Sequence, residues 1–340
     1  MRRRLALPLL LCGLLGTQCF PVLPDPGVID SLRVLAVRAD PAVAVLDTYP
    51  LPTLTVTALV VDPADESLGG VSHTWTLDLP DDVEGIEQLQ AMVPDPPHGV
   101  TVEIDLNAML SGAAIGPSAV AAEDGQEYLI AALPLRYRAE TADDHREAVK
   151  LVSFLMPDFS GGDDDDATGD DDDSAAARAI DPEDPPAGYN ENPALASLTI
   201  NGGVFTAVDG LIPGPSTPMV VGPITPTEGL RLDLEVTDDK DPEDVSADLF
   251  WTTGCPGLPL DLSKIPPNEH PKEGECPEND SFGFGSSATI REDGGGGFGG
   301  DDGPARSFGW HPATTGQTAR LFLVLMDAEG GQTWQEIRVE

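Results

Sequence analysis

Eight aspartates fall within thirteen positions at residues 162–174, in two runs of four. Carboxylates at that density suit a hard cation such as Ca2+, which takes about six to eight oxygen ligands. Set against a helix-loop-helix calcium loop, Asp164 and Asp166 fill the first and third places and Gly169 the sixth. The twelfth place is Ala175, where a bidentate Glu is required. The carboxylates therefore repel one another, stay solvated and favour an extended spacer. A second acidic group, Asp238, Asp239, Asp241, Glu243 and Asp244, follows a strand-like stretch, where a folded scaffold can hold oxygens in place. It is the better Ca2+ candidate, although Lys240 intrudes and an ordinary solvated turn competes with it.

Cys255 and Cys276 lie twenty-one residues apart in a Pro- and Gly-rich stretch. In an exported chain such a pair reads as a disulfide, worth ~3 kcal/mol by loop-closure entropy. A zinc site would need more ligands at close spacing than His270 supplies. The five histidines (His73, His98, His145, His270 and His311) are scattered, and no Gly-x-Ser-x-Gly elbow occurs. The Gly-rich run at 294–303 lacks the Lys of a phosphate loop and is flanked by acids. These residues make no catalytic constellation, so the reading is non-catalytic and without a cofactor, Ca2+ apart. His73 stands two residues before Trp75 on an alternating stretch and reads as a hydrogen-bonded interior histidine.

The elements that must position these groups begin after an export signal. Residues 1–18 combine Arg2, Arg3 and Arg4 with an apolar run too short to span a bilayer, and the run ends at Cys19. The run resembles a lipoprotein signal, and the resemblance implies Cys19 as the acceptor of a lipid anchor. Gly16 and Gln18 depart from the usual residues before such a Cys; Cys12 is the lower-ranked acceptor, and a plain secreted protein is the competing reading. The net charge of -41, from 59 acidic and 18 basic side chains, repels phosphate backbones and excludes nucleic acid as a partner. Membrane attachment then rests on the N-terminus.

Residues 19–28 carry Pro21, Pro24 and Pro26 and suit a tether. Beyond them, alternating apolar stretches at 29–38, 54–61, 71–77, 101–106, 127–137 and 149–156 predict strands, and 84–92 a short helix. The second half repeats the plan. Asp62 precedes Trp75 by thirteen residues, Asp238 precedes Trp251 by thirteen, and Gly125-Gln126 and Gly316-Gln317 each open a long apolar strand. The resulting organisation is a signal at 1–18, a tether at 19–28, a sandwich at 29–157, a disordered Asp-rich linker at 158–195 and a second sandwich at 196–340.

A buried Trp on a central strand of each half, with a closing strand pair, resembles immunoglobulin-like modules of bacterial surface proteins, including polycystic-kidney-disease-type and fibronectin-III-like repeats. The chain also resembles exported lipoproteins of myxobacterial type in its signal Cys, the Ser-Leu-Arg-Val-Leu-Ala-Val-Arg strand at 31–38 and the Val-Leu-Met-Asp-Ala-Glu-Gly-Gly stretch at 324–331. The resemblance implies an all-β chain of two Ig-like antiparallel sandwiches joined by a disordered acidic linker. It also implies a non-catalytic, lipid-anchored binding or structural protein of the bacterial cell envelope, with a protein or glycan partner. A carbohydrate-binding accessory module, or an enzyme acting on polysaccharide, is the alternative.

Overall fold

The computed structural model describes residues 27–46, 53–79, 93, 99–106, 128–157, 189–205, 217–238, 245–256, 276 and 305–340. The N-terminal signal with Cys12 and Cys19, the aspartate runs and the helix expected at 84–92 lie outside the described residues.

Alternation sets the first sandwich. In β3 (Leu54–Val61), Leu54, Val56, Ala58 and Val60 turn inward while Thr55 and Thr57 turn out, the period of a strand with two different faces. This strand sits between β1 (Arg33–Asp40) and β5 (Thr101–Ile104) in one antiparallel sheet. The facing sheet has the order β2-β7-β6-β4, built from β2 (Val43–Val45), β7 (His145–Pro157), β6 (Tyr128–Glu140) and β4 (Ser72–Leu77). Between the sheets Trp75 and Tyr137 pack with ring centroids 4.5 Å apart, and the indole donates to the Gly99 carbonyl at 3.0 Å. A buried indole usually finds a partner for its N–H, and Trp75 does so here, whereas the buried Trp251 Nε1 has none among the described residues.

The second half has the same plan. One sheet runs β13-β14-β11-β8-β9, from β13 (Cys255–Pro256), β14 (Ala305–His311), β11 (Leu230–Thr237), β8 (Ala194–Ile200) and β9 (Gly203–Phe205). The other runs β10-β16-β15-β12, from β10 (Met219–Val221), β16 (Gln332–Val339), β15 (Ala319–Met326) and β12 (Ser246–Trp251). In both halves a short strand near the start, β2 or β10, crosses to the second sheet and pairs in parallel with the last strand, β7 or β16. The other pairings between strands are antiparallel. This two-sheet order is the Ig-like sandwich arrangement, so the chain is all-β with the fold the spacing predicts. Trp251 is buried, as expected from its interval to Asp238, and Trp310 on β14 joins it in the core. The Trp310 indole donates to the Thr253 carbonyl at 2.8 Å and lies flat on Gly254, whose φ of 94° belongs to glycine and where a Cβ would collide with the ring.

Two boundaries differ from those that composition suggests. β8 begins at Ala194, inside the segment read as linker, because Asn190 and Asn192 just before it find hydrogen-bond partners that tie the backbone down. Gly27 and Val28, read as tether, lie against the second sandwich together with Ile29. The Trp251 amide donates to the Gly27 carbonyl at 2.9 Å, and the Ile29 amide donates to the Trp251 carbonyl at 2.8 Å. Val28 thus pairs in parallel with the end of β12.

The sandwiches also pack on each other, sheet face to sheet face. From the first come Ile29, Leu35, Ala36, Leu59 and Val61; from the second, Phe250, Phe322, Val324 and Trp334. Ile29, Val61 and Phe322 are wholly buried, and each large apolar side chain so buried contributes about 1.5–3 kcal/mol. β15 is therefore covered on both faces, which accounts for its nearly unbroken apolar run from Leu321 to Leu325.

Gly27 tests this joint. Its backbone lies against the Trp251 ring so closely that an added Cβ would collide with it, whereas a Cβ on Gly222 meets nothing within 4 Å. Gly27→Val is expected to cost about 1–3 kcal/mol in urea unfolding, and Gly222→Ala to stay within about 0.5 kcal/mol of wild type. Equal midpoints for the two variants would show that the N-terminal strand does not stay docked in solution.

Candidate functional site

The hairpin between β15 and β16 turns at Asp327, whose backbone amide donates to the Gly331 carbonyl at 3.1 Å and whose Oδ1 accepts from the Gly331 amide at 2.7 Å. The turn needs glycine: Gly330 has φ 92°, and a Cβ on Gly331 would run into Asp327. The hairpin tip meets the first sandwich at Lys150 on β7, which is directed between the sheets where the short β2 leaves the edge of β7 uncovered. The Lys150 ammonium donates to the Gly330 carbonyl. On the other side of Asp327, Asn190 Nδ2 donates to Asp327 Oδ2 at 3.0 Å. Lys150, Asp327 and Asn190 are 7%, 5% and 3% exposed, so three polar side chains from two sandwiches and the approach to β8 share one dry cluster.

A ladder of side-chain bonds continues from this cluster along the joint. Asn192 Nδ2 donates to the Ala39 carbonyl at 2.7 Å, and its Oδ1 accepts from the Gln332 amide at 2.9 Å. Gln332 Oε1 accepts from the Val37 amide at 2.7 Å, and Arg38 donates to Thr333 Oγ1 at 2.8 Å. At the far end Glu336 accepts from Arg320 and from Arg338, each at 2.8 Å, while Arg320 lies over the Phe322 ring. Glu336 holds the Arg338 guanidinium above its ordinary range, helped by the field of Glu66 from the first sandwich. The apolar centre of the joint is thus closed by polar groups at both ends.

Burial sets the electrostatics. It pulls the Lys150 amine below the ordinary lysine range, against the opposing field of Asp327. It likewise lowers His73 and His311 and raises Tyr137. The Tyr137 hydroxyl and Nδ1 of His73 share a hydrogen bond at 2.6 Å, the interior hydrogen bond expected for that histidine. His311 stands opposite Cys255 in the β13–β14 pair, donates from Nδ1 to the Pro312 carbonyl at 3.3 Å and leaves Nε2 buried without a partner.

Of the residues singled out in the sequence, Cys255 and Cys276 form a disulfide with Cα atoms 5.4 Å apart. Asp238 sits half-buried just after β11; Asp239, Asp241, Glu243 and Asp244 lie outside the described residues, as does Cys19. Among the described residues no group of three or more His, Cys, Asp or Glu is placed to hold a metal ion, and no helix is long and apolar enough to cross a membrane. The Lys150, Asn190 and Asp327 cluster was not foreseen. Its sequence signal was an isolated Lys on a strand among apolar residues and the Asp-Ala-Glu-Gly-Gly turn, neither of which names the other.

No protein-family model matches the sequence, and no curated protein matches it. Solved structures similar to the chain include titin domains Z1Z2 in complex with telethonin, at 8% identity and TM-score 0.20, covering 92% of this chain and 96% of that one. Drosophila OTK extracellular domains 3–5 align at 8% identity and TM-score 0.22, covering 92% and 62%. Drosophila N-cadherin EC1-4 aligns at 8% identity and TM-score 0.19, covering 89% and 49%. The chain spans less than two thirds of the latter two. The strand order described above, and not these superpositions, defines the fold.

Acid should act through the buried imidazoles. A histidine depressed in the folded state is neutral there while the unfolded chain takes up a proton, so its contribution is complete above about pH 6.5 and is lost as pH falls. Between pH 7 and pH 5 wild type is expected to lose Tm faster than His311→Gln, in which the unpartnered Nε2 no longer titrates. Parallel Tm profiles would show that His311 carries no such linkage.

Proposed function

We propose that the chain is an exported, lipid-anchored and non-catalytic binding or structural module of a bacterial cell envelope. The observation that carries this reading is the joined double sandwich with its N-terminal strand built in. Gly27 stands eight residues after Cys19 (27 minus 19), at most about 28 Å of extended chain. An acyl group on Cys19 would hold a stiff body close to a bilayer, and the Pro-rich tether suits that spacing. The partner is a protein or glycan reached by the loops and strand edges of that body. Such a body presents its surfaces in a fixed relation to each other, which favours recognition over turnover.

Fractionation of cells that make the native precursor tests the anchor. Wild type should sediment with membranes, and its first residue should be Cys19 bearing acyl mass. Cys19→Ser should shift more than about nine tenths of the protein to the soluble fraction, since the tether offers no other strong membrane attachment. A soluble wild type, or an unmodified N-terminus, would reject lipid anchoring.

A further inference from the structure

The strand directions give the joined body two poles. The Gly27 carbonyl accepts from the amide of Trp251, which closes β12 opposite Leu321 near the start of β15. Val61, at the end of β3, lies beside Phe322 at this pole, and the field of Glu66 in the loop that follows reaches Arg338 here. The other pole of the second sandwich is the turn from Asp327 to Gly331, the length of β15 away, or about 23 Å. β1 leads to that far pole, where Val37 and Arg38 meet Gln332 and Thr333 just past the turn.

The acidic segment is attached at the far pole by both its ends. β4 begins at Ser72, past the loop that follows Val61, and so runs away from the Gly27 pole; β6 runs back antiparallel to it, and β7 runs away again. Lys150 meets the far turn at Gly330, and β7 then continues for seven residues (157 minus 150) to Pro157. Where the described chain resumes, Asn190 is bonded to Asp327 at the far turn. Between Pro157 and Tyr189 stand twelve Asp or Glu and one basic residue, Arg178.

We propose, on the reading that Cys19 carries the lipid, that the Trp251 pole is the membrane-facing surface of the body and that the Asp327 pole, with the acidic segment, is turned away from the bilayer. Two independent constraints agree. The first is reach: the chain from Cys19 to Gly27 spans at most about 28 Å. Pro157 lies roughly 40 Å along the strands from Gly27, so the tether is too short for the body to stand inverted. The second is charge. A body lying on its side would bring the carboxylates of the acidic segment against the anionic headgroups of a bilayer, where like charges repel within a Debye length. Upright, the body keeps that segment clear of the surface. A partner in the surrounding space then meets the Asp327 turn and the far ends of β6 and β7 first.

The test uses the full acylated chain, reconstituted into vesicles that contain anionic lipid and a quencher linked to headgroups. A fluorophore is placed by Thr315→Cys, at an exposed position between β14 and β15 on the Trp251 pole, or by Ala328→Cys, exposed in the far turn. Cys255 and Cys276 are held in their disulfide and take no label. Flotation with the vesicles reports the anchor, and quenching reports the orientation. The Thr315→Cys probe should lose at least about twice as much emission as the Ala328→Cys probe, since the length of β15 separates them. Ala64→Cys and Glu329→Cys give a second pair on the same two poles should a variant of the first pair fold poorly. Equal quenching, or stronger quenching in the far turn, of protein that floats would overturn the orientation and leave the anchor standing. Protein that does not float would overturn both.

Discussion

The contact on which the molecule depends is the dry one among Ile29, Val61 and Phe322, where the outer face of one sandwich meets the outer face of the other. A β-sandwich ordinarily buries one face of each sheet and leaves the other to water. Here β1 and β3 of the first sandwich, and β12, β15 and β16 of the second, give up that solvated face, and four sheets stack as one body. Ile29 matters most because it also continues the strand paired with Trp251. The chain enters the fold through the second sandwich and only then becomes β1 of the first. The halves are related by plan, yet neither is complete without a piece of the other.

An apolar centre has no orientation of its own, so the polar groups at its two ends set the angle. Gln332, Asn192 and Thr333 meet backbone or side-chain groups of Val37, Ala39 and Arg38, and a slip of one residue along β1 would orphan several buried atoms together. An unmade buried hydrogen bond costs about 1–3 kcal/mol, more than one made bond contributes. Lys150 is the most exacting member. Among the described residues, the Gly330 carbonyl and the nearby Asp327 carboxyl repay the desolvation of its ammonium, so the hairpin tip has to remain where it is.

How much of this was legible in the sequence follows from what each feature needs. Strands such as β3 and β11 have one wet face, and their alternation is written residue by residue. The interval from Asp62 to Trp75, repeated from Asp238 to Trp251, exposed the duplication because both ends sit at the same turn of the same two strands. Strands of two or three residues, β9, β10 and β13, are too short to show a period. β14 lay hidden behind the Gly-rich run, although Phe308 and Trp310 alternate within it. The joint was illegible for a different reason: it pairs residues nearly three hundred positions apart, such as Val37 with Gln332, and no local pattern can name such a partner. The apolar run in β15 read only as a long apolar strand, and its cover on both faces came from the structure.

The joint also has a direction. It unites the β1-β3-β5 sheet of one sandwich with the β10-β16-β15-β12 sheet of the next, so it is a head-to-tail interface. A chain of identical units with such an interface would grow without closing. Growth is prevented where the two copies have diverged. On the unused sheet of the first sandwich, the face that would correspond to Phe322, Val324 and Trp334 carries Arg136, Arg138 and Glu147, joined in ion pairs. On the unused sheet of the second, the face corresponding to Leu35 and Leu59 carries Arg231, which donates to Asp233, and Ser307. Docking a third sandwich on either face would strip water from charges that already have their partners, at a cost that apolar contact could not recover. The same fold thus supplies an adhesive face once and a charged face in its place at each end.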